Sequence, residues 1–316
     1  MTSTRKPTIG WVGAGRMGAA LATRLLEAGY DISVYNRTRA KAEALAERGA
    51  IIVDRPVDLA GRDIVFIMVS ASQDLESVMI GDGGLLTDPD RAPELIIDSS
   101  TVSAEVSAMM RERVSERHAE FLAAPVSGNP KVIASGKLTI AVSGPRAAFD
   151  RAEPVLKLLG RGVSYVGDGE VARLVKIAHN VFLGVVIQSL AEITVLVERG
   201  GVDRAAFLEF LNNSVMGSTF TRYKSPALVN LDFHPTFTNV LLNKDIELGL
   251  AAGKQLGVPM PLASATGMLV ASAIGAGYTD DDFATLVLEQ ARRSGYTIAS
   301  ENTPVDDGLA PEKVQS

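Results

Sequence analysis

The 316-residue chain has no cysteine, only three histidines and few aromatic residues (5%). The first absence excludes disulfides, thiolate catalysis and cysteine-ligated zinc. There is no basic block, and the net charge is −6. Nucleic acid and anionic membranes are therefore not the expected partners, and any bound anion must be held by a local site. No long unbroken apolar run exists either. The longest, residues 181–197, is interrupted by Gln188 and Glu192 and falls short of the ~20 residues that span a bilayer. It reads as a buried helix. The apolar segment after residues 1–7 is too short and too glycine-rich for a signal peptide, so the expected location is cytoplasmic.

What is present is the balance of a soluble globular protein, 47% apolar and 22% charged residues, at a length that suits two domains. Residues 8–13, 31–35, 51–53, 64–69, 95–98, 119–122 and 138–142 read as strands. Helical spacing of apolar residues over 16–28, 40–48, 73–80, 103–117 and 147–159 places helices between most of them. Strand–helix alternation predicts βαβ units and a mainly parallel sheet. After Val166 the pattern is helical only, with segments near 170–200, 203–213, 239–256, 260–276 and 282–293. The expected organisation is an α/β Rossmann domain (1–167) and an all-α domain (168–300) joined by a long helix. The Pro-, Asp- and Gly-rich residues 301–316 predict a disordered tail.

Gly13-Ala14-Gly15-Arg16-Met17-Gly18 matches G-x-G-x-x-G. It has the required context of a strand before, a helix after and a second strand about 20 residues on. Such a loop lets the backbone approach a pyrophosphate at a helix N-terminus. The end of the second strand discriminates between the nicotinamide cofactors. An acid there would bond the ribose hydroxyls of NAD. This chain has Tyr35-Asn36-Arg37-Thr38 instead, with Arg39 as a further cation. Asn36 can bond ribose, and Arg37 and Thr38 can meet a 2′-phosphate, so NADP is expected over NAD. Two other strand ends, Met68-Val69-Ser70 and Asp98-Ser99-Ser100-Thr101, are placed to touch the cofactor. Val69, Ser70 and Thr101 are its candidate contacts; Thr101 or Ser103 can equally cap the helix that follows.

Hydride transfer at a carbinol carbon needs a group that moves the hydroxyl proton. His118 lies in a polar stretch and His234 in a loop before a proline. His179 remains, with Lys176 and Asn180 in the same long helix. Lys176 interrupts an apolar segment, and burial of an amine lowers its pKa toward neutrality, which suits a general acid–base. The competing reading is a lysine that snorkels at a helix edge.

Four ordered motifs, covering about residues 7–297, resemble the β-hydroxyacid dehydrogenase family, which includes 3-hydroxyisobutyrate dehydrogenase and glyoxylate/succinic semialdehyde reductases. They are the glycine loop with Met17, Ala124-Pro125-Val126-Ser127-Gly128, Lys176-x-x-x-Asn180, and Phe237-x-x-x-Leu241-x-x-Lys244-Asp245. The resemblance implies that Ser127 and Gly128 hold a substrate carboxylate and that Thr101 contacts cofactor and substrate. It implies that Lys176 shuttles the proton, that Asn180 positions it and that Lys244 contacts the cofactor or substrate. It also implies a homodimer or homotetramer. Ala123, Asn129, Lys131 and His179 depart from the family pattern. The His179-Asn180 pair is similar to that of 6-phosphogluconate dehydrogenase, and about one extra helical turn separates Gly169 from Lys176. The expected activity is NADP-dependent hydride transfer involving a small 3-hydroxy acid or its semialdehyde. Imine reduction and non-catalytic NADP binding are the alternatives, and retention of the lysine argues against the former.

Overall fold

A computed structural model describes residues 5–310, which form two compact units dividing after Lys176. The first unit carries strands β1 (Ile9–Val12), β2 (Ile32–Tyr35), β3 (Ile51–Ile52), β4 (Ile64–Ile67), β5 (Leu95–Asp98), β6 (Glu120–Ala123), β7 (Val126–Ser127), β8 (Thr139–Ser143) and β9 (Gly162–Gly167). Its helices are α1 (Arg16–Glu27), α2 (Ala40–Ala46), α3 (Ser72–Ile80), α4 (Ala104–Ser115), α5 (Pro130–Ala134), α6 (Arg146–Leu159) and the start of α7 (Val171–Arg199). The described strands form one sheet in the order β3-β2-β1-β4-β5-β6-β8-β7, with β9 on β8. The first six strands are parallel and follow the 3-2-1-4-5-6 order of dinucleotide-binding sheets. Antiparallel pairing begins at β6–β8.

The central strands are short, continuous apolar runs because both faces of the sheet are covered. On one face Trp11 stacks on Phe66 at 5.1 Å and packs with Leu21 and Leu25 of α1 and Leu156 of α6. On the other, Val65, Ile67 and Ile96 meet Met79 of α3 and Met110 of α4. Each such large side chain contributes about 1.5–3 kcal/mol by leaving water. Helix α1 stops where Gly29 takes a positive φ of 75°, the left-handed conformation that glycine adopts most readily.

Two strands and two α-helices were not anticipated from the sequence, each for a local reason. Strand β7 has two residues, and β9 buries no side chain fully. Helix α5 is five residues long. Helix α9 (Thr219–Asn230) contains Pro226 and buries Thr221, Lys224 and Ser225 beside Leu228 and Val229, so its buried face is not a continuous apolar stripe.

The second unit is helical: the rest of α7, then α8 (Arg204–Asn213), α9, α10 (Asn239–Leu256), α11 (Pro261–Gly275) and α12 (Leu286–Arg293). Its core joins Ile187, Leu190 and Val195 of α7 to Leu228, Leu242, Ile246, Val270 and Phe283. α7 and α10 approach closely at Gly249, where a Cβ would stand 2.1 Å from a Val181 methyl. α7 has 29 residues, more than the apolar run read from the sequence, and is long and apolar enough to cross a membrane. Half of its most apolar window is buried inside the protein.

The tail departs from the expected disorder. Glu301 accepts the backbone N–H groups of Arg204 (2.7 Å) and Ala205 (3.0 Å), which opens α8. Asn230 exchanges two hydrogen bonds with the Thr303 backbone, and Leu309 is buried. Backbone and carboxylate partners thus supply the order that few apolar residues cannot. Residues 311–316 of that expectation lie outside the described residues.

Candidate active site

The glycine loop follows β1 at the point where strand order reverses between β1 and β4, the crevice in which open α/β sheets bind ligands. Gly13 has φ 99°, and a Cβ there would meet the Met68 carbonyl oxygen at 2.1 Å. At Gly18 a Cβ would lie 1.9 Å from the Gly13 carbonyl oxygen. These two glycines are dictated by the fold itself. At Gly15 a Cβ would meet no protein atom within 4 Å. The space it leaves lies over the N-terminus of α1, where a pyrophosphate requires close approach to backbone N–H groups. The Trp11 indole donates to Gly13 O at 3.0 Å and stiffens the loop from the core side.

A cavity of about 170 Å³ opens beside this loop. Gly13, Gly15, Asn36, Arg37, Thr38, Val69 and Ser70 line it, joined by Lys41 and Asp74, which sequence reasoning missed. Lys41 lies in the first turn of α2 and Asp74 in the first turn of α3; neither carries a motif signal. Asn36, expected to bond ribose, lines the cavity and also makes two bonds within the protein. Its Oδ1 accepts from Ala14 N at 2.8 Å and its Nδ2 donates to Thr38 O at 2.7 Å. Asn36 therefore ties the strand-end loop to the glycine loop. Arg37 is exposed and donates to Asp74 Oδ1 at 3.0 Å. Arg39 pairs with Asp54. Arg16 is exposed, while Ala14 is buried and Met17 half-buried. A glycine cradle at a helix N-terminus, bordered by Arg37, Thr38 and Lys41, fits a nicotinamide dinucleotide.

The end of β5 is held by a buried network. Asp98 Oδ1 accepts from Ser100 N (3.1 Å) and Ser100 Oγ (2.6 Å), and Ser100 Oγ accepts from Val69 N at 2.9 Å. Arg173 closes it from α7, donating to Asp98 Oδ2 at 2.5 Å, to Ser100 O at 2.6 Å and to Ser107 Oγ at 3.1 Å. The extra turn between Gly169 and Lys176 thus houses a fully buried arginine that the sequence reading missed. Ser103, not Thr101, caps α4, accepting from Val106 N at 3.3 Å. Thr101 is half-buried.

Ser127 is half-buried at the end of β7, and Gly128 follows with φ 146°. Asn129 caps α5 through its Oδ1, which accepts from Val132 N at 3.0 Å, and Lys131 is exposed. These two departures from the family pattern are therefore a helix cap and a surface residue. Lys176 is half-buried rather than enclosed.

In the second unit, Asn180 is buried and donates through Nδ2 to Asp245 Oδ2 at 2.5 Å. That bond turns Asn180 Oδ1 toward His179 Nδ1 at 2.9 Å. The geometry assigns a proton to Nδ1. Lys244 lies 3.5 Å from Asp245 Oδ1. His118 and His234 are exposed.

The fold and the glycine cradle define an NAD(P)-dependent oxidoreductase. Residues 8–167 match the model of the NAD binding domain of 6-phosphogluconate dehydrogenase, and residues 167–289 that of the NAD-binding region of NADP-dependent 3-hydroxyisobutyrate dehydrogenase. The chain is 31% identical to 3-hydroxyisobutyrate dehydrogenase of Pseudomonas aeruginosa, over 81% of this chain and 88% of that protein. It is 29% identical to glyoxylate/succinic semialdehyde reductase 1 of Arabidopsis thaliana, over 88% and 96%. The solved 3-hydroxyisobutyrate dehydrogenase of Salmonella typhimurium superposes with TM-score 0.80 and 26% identity, over 90% of this chain and all of that one. The chain belongs to the β-hydroxyacid dehydrogenase family, and is an NAD(P)-dependent enzyme of that class.

Proposed function

We propose that the protein is an NADP-preferring dehydrogenase that interconverts a small 3-hydroxy acid and its semialdehyde. The observation that carries the cofactor reading is the end of β2, where Arg37 and Thr38, with Lys41, border the cavity and the strand itself ends without an acid. A guanidinium and an ammonium complement a 2′-phosphate. When bound, the nicotinamide supplies or accepts the hydride.

The remaining chemistry falls to side chains of this chain. The Ser127 hydroxyl and the Gly128 N–H hold the substrate carboxylate, and Thr101 contacts cofactor and substrate. Lys176 donates a proton from Nζ to the carbonyl oxygen during reduction and takes it back during oxidation. Asn180, one turn further along α7, positions the lysine. The Asp245 carboxylate and the His179 ring restrain the Asn180 amide, which favours one orientation of that group. Lys244 contacts the cofactor or substrate. His179 adds a polar group for the substrate.

The reading extends to association. Phe182 and Leu196 of α7 and Leu262 and Met268 of α11 are all at least 68% exposed in the single chain. Large apolar side chains in such number favour a homodimer or homotetramer, which light scattering would size.

Purified protein with NADPH is assayed against a panel of short-chain semialdehydes and cyclic imines. Semialdehyde turnover is expected, with kcat falling about 10²–10⁴-fold in Lys176→Ala. The proposal is lost if only imines react and Lys176→Ala keeps the full rate. NADPH binding without turnover of any substrate would instead support a non-catalytic module.

A further inference from the structure

The cofactor cavity contains an acid that the reading of β2 leaves out. Asp74 comes from α3, after β4, and not from the strand end where cofactor-selecting acids are sought. It lies in the first turn of its helix. Its Oδ1 receives Arg37 Nη1 at 3.0 Å, and both residues line the cavity with Asn36, Thr38 and Lys41. The guanidinium best placed for a 2′-phosphate is thus already in contact with a carboxylate.

We propose that Arg37 and Asp74 form an exchangeable pair that lets the cavity accept both nicotinamide cofactors, with Asp74 the residue that limits the preference for NADP. The inference rests on the reading that the adenosine ribose lies against residues 36–38. The Arg37 side chain is 84% exposed and that of Asp74 29%, and ion pairs of such exposure are weak and readily exchanged. A 2′-phosphate offers Arg37 more charge and a bidentate partner. Once Arg37 turns to it, Asp74 stands beside a phosphate with no compensating contact from that arginine. With NAD the pair stays intact. A carboxylate has about four lone-pair sites, so Asp74 can hold Arg37 and still accept a ribose 2′-hydroxyl. Lys41 attracts the phosphate and makes no demand on the hydroxyl.

Dissociation constants for NADPH and NADH are measured by fluorescence titration on the full chain, for wild type, Asp74→Asn, Arg37→Ala and the double variant. Asp74→Asn keeps the side-chain shape, and melting without cofactor verifies its fold. NADPH should tighten roughly threefold and NADH weaken roughly threefold in Asp74→Asn, shifting the preference about tenfold. The gain for NADPH should shrink in the Arg37→Ala background. An unchanged ratio in Asp74→Asn, or weaker NADPH binding, would overturn the proposal. The second result would mean that Asp74 aims Arg37 at the phosphate. If Arg37→Ala alone shifts the ratio, the NADP reading survives and only the role of Asp74 is lost. If neither variant shifts it, both fall.

Discussion

Arg173 Nη2 lies 2.5 Å from Asp98 Oδ2, with the two side chains 1% and 0% exposed. The pair joins the first turn of α7 to the end of β5, and through Ser100 it reaches the N–H of Val69 in the cofactor cavity. Breaking a buried pair from one side leaves an uncompensated charge. Arg173→Met should therefore cost about 3–5 kcal/mol, and adding Asp98→Asn should recover part of that loss. Urea unfolding of the single and double variants checks this. An equal or larger loss in the double variant would mean that the pair is not the source.

Two glycines of the loop, Gly18 and Gly15, should separate folding from binding. In Gly18→Ala the new methyl strikes the Gly13 carbonyl, so the protein without cofactor should lose about 1–3 kcal/mol or more and melt several degrees lower. In Gly15→Ala the methyl meets nothing in the protein. Melting without cofactor should be near wild type, while the stabilisation that NADPH confers should disappear. Thermal scans with and without NADPH test both.

Asp282 sets an acid limit on the second unit. Burial alone would raise its carboxyl pKa, but the Lys224 ammonium at 2.6 Å and the N–H groups of Ala284 and Thr236 outweigh it and hold the pKa below the ordinary value. A depressed carboxylate contributes stability above its unfolded pKa, about 3.9. That contribution is lost as pH falls through the lower folded value. Wild type should exceed Asp282→Asn at pH 6, and the gap should narrow below about pH 4. Urea midpoints across pH 2.5–6 would show it; a constant gap would assign the stability to something other than the charge.

The tail should behave as part of the second unit. Glu301 caps α8 and lies 3.7 Å from the fully buried Arg204. Glu301→Ala should cost about 1–2 kcal/mol, the usual value of a helix cap. Limited proteolysis should spare residues 301–310 in wild type and cleave them in the variant. Rapid cleavage in wild type would contradict the contacts.

Much of this was legible locally. The glycine loop, the β2 ending, the short apolar strand runs and the 3.6-residue periodicity depend on neighbours a few positions apart, so they mark the Rossmann sheet, the cofactor class and the long helix in a single pass. Lys176 and Asn180 stand out for the same reason, as polar residues at helical spacing in an apolar segment. Arg173, Asp74 and Lys224 carry no such mark. Each is a charged side chain whose environment is set by a partner 37 to 75 residues away: Asp98 for Arg173, Arg37 for Asp74 and Asp282 for Lys224. Asn36 reads as a ribose ligand from the sequence; only the fold shows that one site of its Oδ1 and one of its Nδ2 also tie Ala14 to Thr38. The composition of 301–316 argues for disorder because a tail's own residues do not disclose the helix end that Glu301 caps. Chain chemistry selected the fold and the cofactor family. Long-range packing chose which charges are buried and paired, because the cost of desolvating a charge depends on partners that only the folded chain brings near.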